Sequence, residues 1–273
     1  MTRRESRRIG LAALTVLELA PPDMVSCARD AGYDAVGLRL IPATPTEVQH
    51  PIVGETPLVR ETLRRLADTA IPVLDIEIFR LKPDTRVADY RAALETGARF
   101  GAREALVAGN DPDDARLTAS FAAFCDLSAE YGIAANIEPM PWTDVKTFAQ
   151  AARIVAAAGR DNAGVLIDPI HFDRAGDVPA NIAAAPAPRL RYMQLCDAPA
   201  ERPKDLETLL FQARAERLMP GDGGLDLAAI LRAVPRDVPL SLEIPMHGLT
   251  RTLPAVPRTR QMLEKARRLL DTL

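Results

Sequence analysis

Val165-Leu166-Ile167-Asp168-Pro169-Ile170-His171 decides how this chain is read. Its apolar start reads as a buried strand, and it delivers an aspartate and, three residues on, a histidine to the point where that strand ends. Folds built of parallel strands hold ligands and metals at that end, because the loops converge there while helices cover the flanks. The same grammar recurs in the apolar runs 133–138, 190–197 and 240–243, each of which finishes in a group able to bind a cation.

On either side of this stretch, strand and helix signals alternate. Strands are expected at 9–13, 35–40, 73–79, 105–108, 134–138, 164–168, 192–195 and 240–244. Helices are expected from Pro21-Pro22-Asp23 to a stop at Gly32, through Leu58, Leu63 and Leu66, and over 88–100, 115–130 and 144–158, the last capped by Thr143 or Asp144. Further helices are expected over 178–185, cut short by Pro186 and Pro188, and over 205–217, 225–234 and 257–270. The Pro-rich, polar segment 42–56 reads as a loop over the end of the second strand. About eight strand and helix units in 273 residues predict a (β/α)8 TIM barrel, an α/β fold that takes about 250 residues, as one domain over 1–273. A doubly wound open sheet would need a Gly-rich phosphate turn after an early strand. Gly221, Gly223 and Gly224 instead follow a helix.

Composition limits the partners. The formal net charge is −3 with both signs scattered along the chain, which argues against a nucleic-acid face or an acidic membrane and for a small polar molecule, neutral or anionic. Cys27, Cys125 and Cys196 form no C-x-x-C pair, so neither a disulfide framework nor a thiolate zinc site is expected. A reducing cytoplasm follows. The basic Met1–Arg8 stretch precedes an apolar run shorter than the roughly 20 residues of a membrane span, so no signal peptide or anchor is expected.

The chemistry lies at four successive strand ends, which carry Glu138, Asp168, Gln194 and Glu243. Three carboxylates in one mouth repel one another unless protons or a cation compensate, which is the physical case for a divalent metal. With a Gln194 carbonyl the donor set is all oxygen, so Mn²⁺ or Mg²⁺ is expected, with Co²⁺ or Zn²⁺ as substitutes. Any one of these acids taken alone reads equally well as a helix cap.

Ile137-Glu138-Pro139, Asp168-Pro169-Ile170-His171, Gln194-Leu195-Cys196-Asp197 and Leu242-Glu243-Ile244 resemble the metal-site motifs of the xylose-isomerase-like TIM-barrel superfamily, which includes sugar phosphate isomerases and epimerases. The resemblance implies a metal held by Glu138, Asp168, Gln194 and Glu243. Gln194 stands where that pattern usually has His. Together with Arg217-Leu218-Met219-Pro220-Gly221, Asp226 and Ser241, it is similar to the 3-dehydroshikimate dehydratase branch.

These readings imply an isomerase or epimerase that abstracts a proton from a small hydroxy-carbonyl compound and holds the enediolate. The alternative is a lyase that dehydrates a hydroxy-keto acid. A third reading, an endonuclease IV-like nuclease, meets the acidic balance and the few histidines as objections. Glu138 and Glu243 are the candidate acid and base, and His171 a neutral donor or proton carrier whose bland alternative is a packed imidazole. Arg217, Arg80 and Arg39 are candidate clamps for a carboxylate or phosphate, with Arg39 also a partner for Asp75 and Glu77 inside the barrel. Trp142 and His247 are candidate substrate contacts at the same mouth. Related barrels pair to shield their mouths, which leaves a homodimer open.

Overall fold

The structure is a computed structural model that describes residues 7–273, so most of the basic Met1–Arg8 stretch lies outside the described residues. The strands are β1 (Ile9–Leu11), β2 (Ala35–Arg39), β3 (Val73–Leu81), β4 (Glu104–Gly109), β5 (Ala134–Glu138), β6 (Ala163–Val165), β7 (Met193–Leu195) and β8 (Leu240–Leu242). Between and after them run α1 (Pro21–Ala31), α2 (Pro57–Thr69), α3 (Arg91–Arg99), α4 (Asp114–Ala129), α5 (Phe148–Ala158), α6 (Pro169–Arg174), α7 (Pro179–Ala183), α8 (Leu206–Arg214), α9 (Leu227–Ala233), α10 (His247–Thr250) and α11 (Ala255–Asp271). No helix among the described residues is long and apolar enough to cross a membrane.

All seven ladders are parallel, in the order β6-β5-β4-β3-β2-β1-β8-β7. The ring closes between β6 and β7 through a single parallel bridge, Ile167 to Met193, with the Gln194 N–H donating to the Ile167 carbonyl at 2.9 Å. This is the (β/α)8 TIM barrel expected from the sequence.

Period-two alternation divides the strand residues between two apolar layers. Ala105, Val107, Ile137, Val165, Leu195 and Leu242 face the helices in the main core. Leu106, Ala108, Leu166 and Tyr192 fill the barrel interior with Ile78 and Met140. Register carries the interior parity to the functional groups: Ala108 pairs with Glu138, and Gln194, two residues after Tyr192, pairs with Ser241, two before Glu243.

Local chemistry explains most boundaries. Pro21 opens α1 at its first turn, and Gly32 closes it in the left-handed region at φ 91°, which glycine adopts without strain. α5 starts later than the sequence suggests. Residues 140–145 make their own turn, in which the Met140 N–H reaches the Val145 carbonyl and the Thr143 hydroxyl donates to Met140 and Val145 carbonyls, so Thr147 caps the helix instead of Thr143 or Asp144. α8 ends at Arg214, short of Arg217.

Candidate active site

Asp168 ends the run after β6 and does two things. Its side chain caps α6, with Oδ1 accepting from the Ile170 N–H at 3.0 Å, while Pro169 supplies the fixed φ of the first helical position. That short helix, absent from the sequence reading, brings His171 back over the strand ends. His171 Nε2 lies 3.6 Å from Glu138 Oε1 and 3.7 Å from Asp168 Oδ2. Glu138, Asp168 and His171 each offer a ligand atom within 4.8 Å of the others, and all three are buried.

Glu243 sits beside this cluster, linked to it by Arg217. The guanidinium donates to Asp168 Oδ2 at 2.5 Å, lies 2.8 Å from Glu243 Oε2 and is anchored through Nε to the Ala213 carbonyl at 2.7 Å. Gln194 Nε2 donates to Glu243 Oε1 at 2.8 Å, which turns the Gln194 carbonyl oxygen away from that carboxylate. Of the expected ligands, Glu138 and Asp168 come together with His171, while Glu243 stands beside them across Arg217 and holds Gln194 by a hydrogen bond. Arg217, expected as a clamp for a carboxylate or phosphate, has both of its partners within the protein. It is 1% exposed and bound to two carboxylates, so its charge is already matched inside the site.

Burial sets the protonation. It pushes Glu138 well above the usual carboxylate range, reinforced by Glu243 and Asp168, and pushes Glu243 up to about 8 against the opposing charge of Arg217. Asp168 meets the same burial, but Arg217 and His171 outweigh it and its pKa is lowered. Burial lowers His171 to about 4, so the imidazole is neutral near pH 7.

These residues fit a divalent cation. Glu138 Oε1, Gln194 Oε1 and His171 Nδ1 are buried without a hydrogen-bond partner. Unsatisfied buried acceptors are rare in folded proteins, and a cation at two such oxygens would satisfy them while easing the repulsion among the acids.

Glu138, His171, Arg217 and Glu243 line a cleft of about 260 Å³, whose walls also include Arg39, Arg80, Trp142 and His247. Trp142 packs edge-on against His171 with ring centres 4.8 Å apart. His247 begins α10, another short helix the sequence reading did not contain. Arg39 pairs with Glu47 and lies 3.3 Å from Glu77. Two charged cleft residues escaped the sequence reading. Glu47 looks like any acid of a polar loop, whereas Arg214 had a usable signal in its position three residues before Arg217, at the end of α8.

Residues 25–272 match the sequence profile of a family described as xylose isomerase-like TIM barrel. Over 239 residues the chain is 26% identical to a 3-dehydroshikimate dehydratase of Pseudomonas aeruginosa, an alignment covering 82% of this chain and 36% of that protein. Over 111 residues it is 32% identical to an inosose isomerase of Bacillus velezensis, covering 40% of this chain and 38% of that protein. The matched stretches thus span little more than a third of these relatives' own length. Among solved structures, the IolI protein with a bound zinc atom superposes with a TM-score of 0.75 at 19% identity, over 94% of this chain and 95% of that one.

Proposed function

The chain belongs to the xylose isomerase-like TIM barrel family, and from that premise we propose that it is a divalent-metal-dependent enzyme moving a proton next to the carbonyl of a small hydroxy-carbonyl compound. The observation that carries this reading is the buried Glu138–Asp168–His171 group beside two oxygens, on Glu138 and Gln194, that lack a donor. A cation bound there would supply Lewis acidity, making the C–H beside a substrate carbonyl easier to ionise. Glu138, Asp168, Gln194 and Glu243 would hold it, with His171 as a nitrogen alternative. Mn²⁺ or Mg²⁺ suits the oxygen-rich set, and zinc is supported by the imidazole and by the zinc of the IolI protein.

Glu138 ends β5 and Glu243 directly follows β8, while between them Asp168 follows β6 and Gln194 lies within β7. A substrate on the floor of the cleft is flanked by these two acids, one positioned to take a proton at a carboxylate oxygen and the other to return one. Their raised pKa values suit proton exchange near neutrality. Neutral His171 donates a hydrogen bond to substrate oxygen or holds it in place. Returning the proton gives isomerisation or epimerisation, our leading reading. The lyase reading, in which a hydroxyl leaves instead, is favoured by the alignment to the dehydratase over 82% of the chain.

Incubating the Mn²⁺-loaded protein in D₂O with ketoses, an inosose and 3-dehydroshikimate tests both. Metal-dependent deuterium uptake at the carbon beside the carbonyl is expected in at least one compound, and loss of water from the product separates lyase from isomerase. No uptake in any of them, together with unchanged metal content in Glu138→Gln, overturns the proposal.

A further inference from the structure

Four arginines face the cleft, and their surroundings divide them into two pairs. Arg39 is engaged with Glu47 and Glu77, and Arg217 with Asp168 and Glu243. Arg80 and Arg214 are partly buried and have no carboxylate within ion-pair distance among the described residues. Arg80 donates from Nε to the Ala43 carbonyl at 3.2 Å and from Nη1 to Asn110 Oδ1 at 3.0 Å, two neutral acceptors that aim the guanidinium without neutralising it. Arg214 makes no hydrogen bond among the described residues. Its guanidinium carbon sits 5.4 Å from the centre of the Trp142 ring, a contact that fixes the plane and leaves the N–H edge open.

Holding two like charges together in a partly desolvated cleft is unfavourable, and nothing in the packing requires it. Burial and the charge of Arg214 both lower the pKa of Arg80. The nearest acid, Glu47, does raise the pKa of Arg214, but its oxygens are bonded to Arg39 and to the Ala43 N–H. Charge in the cleft is therefore left open at two places: acids at Glu138 and basic groups at Arg80 and Arg214.

We propose that Arg80 and Arg214 form a subsite for an anionic group, a carboxylate or a phosphate, carried by the substrate, with Trp142 as the wall on which Arg214 is oriented. The substrate class is then an anionic hydroxy-carbonyl compound, held by its oxygens at the acidic floor and by its anion at the two guanidinium groups. Its catalytic part rests on the proton-transfer reading above, whereas anion binding is measurable without turnover.

Trp142 is the single tryptophan of the chain, so its emission reports on this wall. The full-length protein, stripped of metal and then Mn²⁺-loaded, is titrated with inorganic phosphate, with shikimate as a carboxylated cyclic polyol, and with myo-inositol as a neutral one. A saturable change with phosphate or shikimate and none with myo-inositol is expected, and the stronger of the two identifies the anion. Arg80→Gln and Arg214→Gln, followed by calorimetry, should each weaken that binding by about tenfold or more, with Arg80→Lys and Arg214→Lys retaining part of it. Anions binding no better than myo-inositol, or folded glutamine variants that bind as the parent does, overturn the subsite. Anion binding without deuterium exchange overturns only the catalytic reading, and exchange confined to neutral compounds overturns only the subsite.

Discussion

Arg217 and Asp168 meet at 2.5 Å with both side chains shut away from solvent, and the other arm of the same guanidinium rests against Glu243. Removing one member of a buried pair leaves its partners charged and uncompensated. Arg217→Met should therefore lower stability by about 3–5 kcal/mol, read as a lower urea midpoint at unchanged slope. A loss below about 1 kcal/mol, the range of a surface pair, would show that these acids do not depend on the arginine.

Two groups give the metal-free protein opposing pH slopes. Glu243 is raised from 4.5 to about 8, so its stabilising contribution is complete below pH 4.5 and disappears as pH rises toward 8. His171 is lowered from 6.5 to about 4, so its contribution is complete above pH 6.5 and is lost as pH falls toward 4. Between pH 6.5 and 8 only the Glu243 slope of this pair remains, and the melting temperature should fall across that window. Cation binding at pH 7 should release protons, measurable by calorimetry in buffers of different ionisation enthalpy. Proton-neutral binding would contradict the raised carboxylates.

Glu138 can be charged only at the expense of folding, since burial and the neighbouring acids Glu243, Asp168 and Glu77 all resist its ionisation. Glu138→Gln should raise the melting temperature of the metal-free protein while weakening Mn²⁺ binding by about tenfold or more. Thermal scans and metal analysis of one preparation check both. A variant that binds Mn²⁺ as tightly as the parent would remove Glu138 from the ligand set.

Asp197 braces the turn after Arg217. Its carboxylate accepts from the N–H groups of Ala198 at 2.8 Å, Gly221 and Gly223 at 3.0 Å, and Leu225 at 3.2 Å. A β-carbon on Gly223 would lie 2.3 Å from both the Ala198 carbonyl and Asp197 Oδ1. Asp197→Ala should cost about 3 kcal/mol by stranding these donors, and Gly223→Ala should also destabilise. Urea unfolding of the two variants measures this, and a neutral effect from both would leave the turn without a structural role.

The barrel could be read from the chain because most strands are apolar runs and most helices have a start or stop written in Pro, Gly or a capping residue. Asp168 shows where such reading ends. Its strand-end position and its capping position are one position, and Pro169 closes a strand and opens α6 at once, so the helix that places His171 has no separate signal in the sequence. Arginine roles were harder still. Arg39 is occupied by Glu47 from a loop with no distinguishing pattern, and Arg217 looked like a clamp only because its two carboxylate partners arrive from 49 and 26 positions away. Which guanidinium stays free is decided by distances through space, and Arg80 and Arg214 stay free because no carboxylate among the described residues comes within ion-pair distance of them.

A ring stitched by seven ladders and one bridge has a natural slit, and here it runs between Ile167 and Met193, directly under Asp168 and Gln194. An ion gripping both of those residues would act as a buckle across the slit, so loading the pocket and tightening the hoop become one event. Deuterium exchange followed by mass spectrometry should then show the Gln194 amide, which spans the gap, slowing on Mn²⁺ addition more than amides between β2 and β3.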